Sequence, residues 1–447
     1  MDASGTLSWL LDKARLAGAD AADVAMIETT SVNASRRMGK PEGLERSENY
    51  AVGLRAFLGD RQAMVSSNDV SKDTLAELAS RAVAMAKAAP PDPDSVLAPE
   101  ELYCQTPPQL DLCDADEPEI GWLEEECRKA EDAALAIEGI TNSEGADAGY
   151  SRSRVYLAIA DRKGMRFEHG YDSSYFSVSV SVLAGSGTGM ERDYDFTSAR
   201  HRKSLADATG IGISAAKKAL KRLNPRKVST CQVPVVFDPR LSRGLLSVLA
   251  GAISGAAIAR GSSFLKNDLG KKIFADSIRI IDDPHIRAGF GSRPFDGEGV
   301  RNGKRAIVEK GILATWLLDM RTAHKLGMTT TGHAHRGIGS PPSPSSTNLY
   351  MEKGTLSPQE LMRDIKSGLY VTETSGMGIN TITGDYSQGA AGFWIENGEL
   401  AYPVSEITIA GHLCDMFAQA TPASDLEFRY ATNAPTLRVE SMTVAGV

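Results

Sequence analysis

RLSRGLLSVLAGAISGAAIAR, residues 240–260, is the segment around which the chain is organised, because no charged residue interrupts it from Gly244 to Ala259. Pro239 suits the first position of a helix, where its missing N–H costs nothing, and Asp238 can cap that helix. The segment is shorter than the ~20 apolar residues of a membrane span. It therefore predicts one buried helix in a soluble domain, with larger side chains recurring at helical spacing at Leu246, Leu249, Ile253 and Ala257.

A second face of this predicted helix carries only small residues. Glycine inside a helix costs about 1 kcal/mol relative to alanine. Two glycines on one face predict that another part of the structure packs too closely there for side chains. The residues of this face are Ser247, Gly251, Ser254 and Gly255.

The same segment lacks the side chains that bind a catalytic metal. A helix that holds catalytic zinc carries histidines about one turn apart, with a glutamate between them. Residues 240–260 contain no His, Glu or Cys. The segment is therefore predicted to pack rather than to bind a metal or move a proton.

Length and charge set broad limits on the protein. A chain of 447 residues is too long for one ordinary core, so two or three domains are expected. The net charge of −8 disfavours a general nucleic-acid-binding protein. Five scattered cysteines without a CxxC pair fit a reducing compartment, and the N-terminus lacks the pattern of a signal peptide. We expect a cytoplasmic protein that neither enters a membrane nor binds nucleic acid directly.

The pattern along the chain predicts an α+β fold, in which mixed sheet and helix sub-units precede a β-rich, barrel-like C-terminal domain. Asn397-Gly398 is a two-residue turn signal between alternating apolar residues and predicts a hairpin. The predicted divisions are an N-terminal α+β unit (1–88), a proline-rich linker (89–118), a second α+β unit with an antiparallel meander (119–227), and the C-terminal domain (228–447) with its buried helix.

Three motifs could carry chemistry, and each has a structural interpretation that we favour. His333 and His335 could share a metal, but they lie in a loop-like segment without acidic neighbours in sequence. Residues 185–189, GSGTG, resemble a phosphate-binding loop but lead into a strand, which favours a hairpin turn. Four acids could act as paired carboxylates or hold a cation, whereas turn formation explains them as well: Asp282, Asp283, Asp296 and Glu298.

A fourth stretch, residues 374–392, is rich in glycine and small polar residues and is flanked by β-forming sequence. Glycine in such a setting lets a ligand or another backbone come close. The stretch is typical of a cleft wall that receives an extended peptide, and equally of an ordinary long loop. The candidate substrate-binding residues are Gly376, Asn380, Thr383, Gly384, Tyr386, Ser387 and Gly389.

Several long motifs, in order, make the chain similar to the TldE (PmbA) branch of the TldD/PmbA family. They include GSRPFDGEGV (291–300), TNLYMEKG (347–354) and GLYVTETSGMGINTITGDYSQGAAGFWIENGELAYPV (368–404), together with residues 234–274. The resemblance implies a two-subunit cytoplasmic peptidase, similar to a protease of unfolded peptides. In it, the TldD-type chain carries zinc on an HExxxH helix and a distant cysteine. The family also bears the label of modulators of DNA gyrase.

For this chain, the resemblance mainly implies that the zinc-binding residues of the TldD-type subunit are absent. Residues 240–260 occupy the place of the zinc helix without its ligands, and no cysteine follows Cys414. The chain is thus expected to be the subunit without metal, with no catalytic or metal-binding residue of its own, paired with a TldD-type zinc subunit. Two alternatives stay open: a stand-alone metal-dependent hydrolase that uses His333 and His335, and a homodimeric peptide-binding adaptor without protease activity.

Overall fold

The N-terminal half is built on one antiparallel sheet in the computed structural model, which describes residues 3–446. Its six strands follow the order β3-β2-β1-β4-β5-β6. Because β1 pairs with β4 along most of its length, a single sheet runs through both predicted α+β units. The strands are β1 (Ala21–Arg37), β2 (Lys40–Leu58), β3 (Arg61–Ser67), β4 (Ile140–Asp161), β5 (Gly164–Ala184) and β6 (Glu191–Ala199).

Four helices cover one face of this sheet in two separate pairs. Alternate side chains of β1 point to the same face of the sheet. On this face Val24 and Met26 pack against one helix pair, and Val32 and Ala34 pack against the other. The opposite face carries Asp23 and turns toward the C-terminal half. The helices are α1 (Ala3–Leu16) with α2 (Lys72–Ala88), and α3 (Ile120–Leu135) with α4 (Ala208–Lys221).

The C-terminal half contains a closed barrel of five strands, which confirms the barrel-like expectation. The strands follow the order β16-β15-β14-β7-β19, and β19 pairs with β16 to close the ring. The predicted hairpin at Asn397-Gly398 joins two of them. The five strands are β7 (Cys231–Phe237), β14 (Ser367–Ser375), β15 (Asp385–Glu396), β16 (Glu399–His412) and β19 (Leu437–Ala445).

Shorter elements surround the barrel. The strands are β8 (Ile280–Asp282), β9 (Arg305–Glu309), β10 (Ile312–Leu313), β11 (Ala334–His335), β12 (Ser343–Pro344), β13 (Leu349–Met351), β17 (Ala420–Pro422) and β18 (Thr432–Asn433). The helices are α5 (Pro239–Ala252), α6 (Gly255–Ala259), α7 (Met320–Lys325), α8 (Pro358–Met362) and α9 (Leu413–Ala418). Within residues 3–446, no helix combines the length and the apolar character needed to cross a membrane.

The prediction of one helix over residues 240–260 was wrong, because α5 and α6 are separate. The predicted start is confirmed: Pro239 takes the first turn of α5, and the Asp238 carboxylate accepts from the backbone N–H of Arg240. At the break, the N–H of Leu317 donates to the carbonyl of Ile253 (3.1 Å), and the N–H of Gly255 donates to the carbonyl of Leu317 (2.8 Å). A neighbouring backbone thus takes hydrogen bonds that a continuous helix would have made internally.

The small residues before and after the break between α5 and α6 lie in different environments. A Cβ on Gly255 would lie 2.5 Å from Thr322 Oγ1, so the predicted close approach occurs there, against α7 of the same chain. At Gly251 a Cβ would meet nothing within 4 Å, and both Gly251 and Ser247 are exposed. The expected close packing is therefore right for Gly255 and wrong for Gly251.

We expect opposite effects of alanine at these two glycines. Gly251→Ala should raise the free energy of unfolding by up to about 1 kcal/mol, because alanine lowers the entropy cost of the helix and finds open space. Gly255→Ala should lower it by about 1–3 kcal/mol, because the added methyl overlaps Thr322. Urea denaturation measures both, and equal effects at the two positions would contradict the packing described.

Candidate functional site

The candidate peptide-binding stretch is part barrel strand and part loop. Residues 376–384 form a loop between β14 and β15, whereas residues 385–392 belong to β15. The loop rests on the chain that follows α6, since the N–H of Phe264 donates to the carbonyl of Thr381 (3.0 Å). The fold therefore brings this loop next to the chain just beyond residues 240–260, the segment that the sequence compared with a zinc helix.

Polar side chains hold the loop in shape. The Asn380 side-chain oxygen accepts from the N–H groups of Ile382 (2.9 Å) and Thr383 (3.3 Å). The Thr383 hydroxyl donates to the Asp385 carboxylate (2.6 Å). Asn380 and Thr383 thus stabilise the turn itself, which is a structural role for two of the candidate binding residues.

His412 packs under the end of the loop. Its Nε2 lies 3.0 Å from the carbonyl oxygen of Thr383. Gly384 has φ of +93°, and a Cβ there would lie 2.8 Å from the His412 ring. Glycine is needed at this position by the backbone conformation and by the chain's own imidazole, independently of any ligand.

Gln388 is a residue of this site that the sequence analysis missed. It is buried in β15. With its amide oriented to suit its neighbours, it donates to the carbonyls of Ser375 and Gly376 (3.1 Å each) and accepts from the N–H of Gly378 (3.0 Å). The sequence does place a polar amide at an inward position of an alternating strand. Because a buried amide needs hydrogen-bond partners, this position could have predicted contacts of Gln388 with nearby backbone.

The seven candidate residues are therefore not equally accessible. Gly384 and the Tyr386 side chain are buried, the latter in the barrel core, and Gly389 packs closely against Ser375 Oγ. The four exposed candidates are Gly376, Asn380, Thr383 and Ser387. Met377 is fully exposed and Ile382 is 61% exposed, so the loop also presents apolar side chains to its surroundings.

His333 and His335, the two histidines considered for a shared metal, lie in different environments. His333 is buried, with Nδ1 2.8 Å from Thr331 Oγ1 and Nε2 3.3 Å from the Asp282 carboxylate. His335 is exposed at the end of β11. Because both ring nitrogens of His333 already face partners, the arrangement favours structural histidines over a shared metal site.

The four acidic residues considered as paired carboxylates do more than form turns. Asp296 does organise a turn, accepting from the N–H groups of Glu298 and Val300 (2.9 Å each). Asp282, however, is completely buried and accepts from the N–H of Thr347 (2.7 Å), and Glu298 is buried and accepts from the N–H of Met320 (2.8 Å). The preference for turn formation accounts for Asp296 but not for the burial of the other two carboxylates.

Glu298 belongs to a buried charge cluster between the N-terminal sheet and the C-terminal half, which also contains Asp23, Arg55 and Arg336. Asp23 forms ion pairs with both arginines, and Arg55 Nε lies 2.8 Å from its carboxylate. Burial acts to raise the pKa of Asp23, but the charges of Arg336 and Arg55 outweigh it and hold that pKa below its usual value. The cluster ties the two halves of the chain together.

Glu298 has no comparable ion pair. Its nearest arginine atom, Arg55 Nη2, is 3.9 Å away. Burial, reinforced by the charge of Asp296, raises the pKa of Glu298 to about 8. Burial also raises the pKa of Asp296 to about 6, although backbone N–H groups partly oppose this. Burial and the charge of Asp296 thus both favour the protonated form of Glu298 in the folded protein.

The donor set does not fit a catalytic zinc ion. In residues 3–446 no three His, Cys, Asp or Glu side chains are grouped so that they could hold a metal. The outward side of α5 carries Gly244, Ser247 and Gly251, none of which offers an imidazole, thiolate or carboxylate. A metal-dependent reaction at this surface needs ligands from elsewhere.

Known proteins are similar to nearly the full length of this chain. Three family profiles match in sequence: PmbA/TldA metallopeptidase domain 1 (residues 22–86), the central domain (123–223) and the C-terminal domain (230–446). "Metalloprotease PmbA" of Escherichia coli O157:H7 is 39% identical over 96% of this chain and 92% of its own length. A PmbA homologue of Haemophilus influenzae is 38% identical, covering 98% and 95% respectively.

Solved structures are similar throughout. A protein from Bacteroides thetaiotaomicron, described as a modulator of DNA gyrase, superposes with a TM-score of 0.91 at 28% identity, covering 99% of this chain and 98% of that one. TldE from Thermococcus kodakarensis superposes with a TM-score of 0.86 at 22% identity, covering 99% and 100%. The second similarity concerns the fold alone.

Proposed function

Since the chain belongs to the PmbA/TldD metallopeptidase family, in its PmbA/TldE branch, we propose that it is the subunit without metal in a two-chain peptidase. A TldD-type partner supplies the zinc ion, and the complex cleaves unfolded or extended peptides in the cytoplasm. The observation that carries this proposal is the contrast between the metallopeptidase family and the donor-free surface of α5.

The bound metal in such a complex activates water for attack on a peptide carbonyl. This chain contributes shape rather than ligands. Its exposed Gly244, Ser247 and Gly251 leave room for a close neighbour along α5. The loop of residues 376–384, which contacts Phe264 beyond α6, offers exposed backbone and apolar side chains to an extended peptide.

The assembly is tested by assaying peptide cleavage with three samples: this chain, a TldD-type partner, and their mixture. We expect cleavage by the mixture only, and its loss on adding a chelator. Metal analysis of each separate chain accompanies the assay, and stoichiometric zinc is expected in the partner. Cleavage by this chain alone, abolished by chelator or by replacing His333, would favour the stand-alone hydrolase instead.

The role of the loop is tested at Met377. The side chain is fully exposed, so Met377→Ala should change the free energy of unfolding by less than about 0.5 kcal/mol. If the loop lines the peptide path, cleavage by the assembled complex should fall several-fold, because an apolar contact worth about 1 kcal/mol is lost.

A matched control is Met165→Ala, at an exposed methionine in the β4–β5 hairpin. It should leave both stability and cleavage unchanged. Valine at Gly384 or Gly389 is less informative, because a side chain there overlaps His412 or Ser375 of the same chain. If the complex that contains Met377→Ala cleaves peptide at the wild-type rate, the loop does not line the peptide path.

A further inference from the structure

A cavity of about 140 Å³ lies where the uncovered face of the N-terminal sheet meets the C-terminal half. Strands β1, β4 and β5 line it on the sheet side, and residues 293–297 and 335–336 line it on the other side. An apolar cavity of about 150 Å³ is large enough to bind benzene. This cavity therefore has room for one side chain of about the size of leucine.

Most of the cavity wall is apolar. Ala25, Leu157 and Phe295 are 5%, 3% and 3% exposed. Ile27 and Val155 complete the wall and are partly exposed. Small-molecule sites in proteins usually combine such an apolar wall with a few polar groups at one end. The wall favours a ligand with an apolar side chain.

Two polar side chains of the cavity have no hydrogen-bond partner within residues 3–446: the Tyr171 hydroxyl and the His335 imidazole. Burial raises the pKa of Tyr171, so its hydroxyl keeps the proton and can donate it. Burial, together with the charge of Arg293, lowers the pKa of His335, so its ring is neutral at pH 7 and carries one N–H. The polar end of the cavity thus offers two donors to a ligand.

The charge around this polar end is positive. Arg293 and Arg200 are the charged groups that act on Tyr171. In the part of the chain that the structure describes, both guanidinium groups donate to backbone carbonyls and neither forms an ion pair. Arg200 donates to the carbonyl of Phe290 (2.6 Å), and Arg293 donates to the carbonyl of Ala334 (3.0 Å). Because carbonyl groups carry no net charge, an anionic group on the ligand would supply the counter-charge.

The Asp296 carboxylate also lines the cavity, but its oxygens are occupied. One oxygen accepts from the N–H groups of Glu298 and Val300 (2.9 Å each). The other accepts from the N–H of Ala334 (3.2 Å). Three backbone donors therefore share this negative charge, which weakens its repulsion of an anion at the polar end.

We propose that the cavity binds a carboxylate attached to a single apolar residue, with the side chain against Leu157 and Phe295 and the carboxylate at Tyr171 and His335. The carboxylate can belong to a free small acid or to the C-terminal residue of a peptide. His335 is exposed, so a peptide chain can leave the cavity beside it. This inference goes beyond the proposed function, because the site needs neither zinc nor the metal-binding partner.

Titration of the full chain, followed by ligand-observed NMR, tests the chemical class of the ligand. N-acetyl-leucine should bind with a dissociation constant of about 1 mM, as expected for so small a ligand. N-acetyl-leucine amide lacks the negative charge, and acetate lacks the side chain. Each should bind at least tenfold more weakly, and an amide that binds as tightly as the acid would overturn the proposal.

A second pair of ligands distinguishes the two sources of the carboxylate. It consists of three alanines followed by a C-terminal leucine, as the free acid and as the amide. Binding of the free-acid peptide at least as tight as that of N-acetyl-leucine assigns the site to peptide C-termini. Binding more than tenfold weaker assigns it to free small acids. Both results support a carboxylate site, provided that N-acetyl-leucine itself binds better than its amide.

Variants of the chain locate the binding. Tyr171→Phe removes only the hydroxyl and should weaken the binding of N-acetyl-leucine five- to tenfold, because a hydrogen bond to a charged group is lost. Tyr194→Phe is the matched control, at a tyrosine of β6 that is 40% exposed and lies outside the cavity. It should bind like the wild-type chain. Val155→Phe should fill the cavity and abolish binding, with urea denaturation as the check that the variant folds.

Unchanged binding of N-acetyl-leucine by Tyr171→Phe would overturn the proposal even if Val155→Phe does not fold. Absence of binding by the wild-type chain at about 10 mM ligand, ten times the expected dissociation constant, would also overturn it. The three-sample peptidase assay does not depend on these measurements, so the two proposals fail separately.

Discussion

Replacing Arg55 by methionine is expected to lower the free energy of unfolding by up to about 3–5 kcal/mol, because the buried Asp23 carboxylate loses one of its two ion-pair partners and keeps only Arg336. Arg55 is 4% exposed and binds the buried Asp23 carboxylate through two nitrogens, at 2.8 and 2.5 Å. Methionine fills a similar volume but carries no charge. The variant therefore isolates the electrostatic loss from a packing loss.

The loss should fall on the contact between the two halves, because Asp23 and Arg55 belong to the N-terminal sheet and Arg336 and Glu298 to the C-terminal half. Urea denaturation measures it. Arg162→Met is the matched control, since Arg162 forms an exposed ion pair with Asp20 and such pairs contribute about 0–1 kcal/mol. Equal effects of the two substitutions would show that the buried cluster contributes no more than a surface ion pair.

Replacing Glu298 by glutamine is expected to stabilise the protein increasingly as the pH rises. The pKa of Glu298 is raised from 4.5 to about 8 in the folded state. Below about pH 4.5 the carboxyl is protonated in both states and costs nothing. Between pH 4.5 and 8 the unfolded chain releases the proton while the folded chain retains it, so the wild-type protein loses stability over this window.

A shift of this size corresponds to at most about 5 kcal/mol, at 1.36 kcal/mol for each pKa unit. Glutamine keeps an oxygen that accepts from the N–H of Met320 but does not titrate. The difference in unfolding free energy between variant and wild type should thus be near zero at pH 5 and favour the variant by about 2–5 kcal/mol at pH 8.

Urea denaturation at several pH values measures this difference. Glu77→Gln, at an exposed glutamate of α2, should follow the wild-type protein at each pH. A constant difference between Glu298→Gln and wild type from pH 5 to pH 8.5 would contradict a protonated Glu298. The charge of Asp296 is one cause of the raised pKa of Glu298, so the pH window of the wild-type protein belongs to the two carboxyls together, and Glu298→Gln removes both the titration of Glu298 and its effect on Asp296.

Local features of the fold could be predicted from the sequence because neighbours along the chain decide them. The hairpin turn at Asn397-Gly398 has φ of +51° and +86°, which asparagine and glycine adopt readily. A serine followed three residues later by a glutamate predicts a capping box, and Ser357 and Glu360 form one with both reciprocal hydrogen bonds present. The start of α5 at Pro239 is a third case.

The candidate site could be predicted only in outline. The sequence predicted a cleft wall or an ordinary long loop at residues 374–392, a glycine-rich stretch flanked by β-forming sequence, but half of the stretch is barrel strand. Gly384 and Gly389 make room for His412 and Ser375, which are distant in sequence or lie on another strand. Glycine content alone cannot distinguish a close ligand from a close neighbour of the same chain.

The sequence by itself identified the family, because several long motifs occur in order, and it showed that residues 240–260 carry no His, Glu or Cys. It also indicated a β-rich C-terminal half, because strand patterns are local. Only the tertiary structure decided where that segment breaks, which of its glycines is enclosed, and that Asp23, Arg55, Glu298 and Arg336 meet. The break follows from hydrogen bonds to Leu317, more than 60 residues away along the chain. Pairings over such distances depend on how whole elements pack, and periodicity within one element carries no information about them.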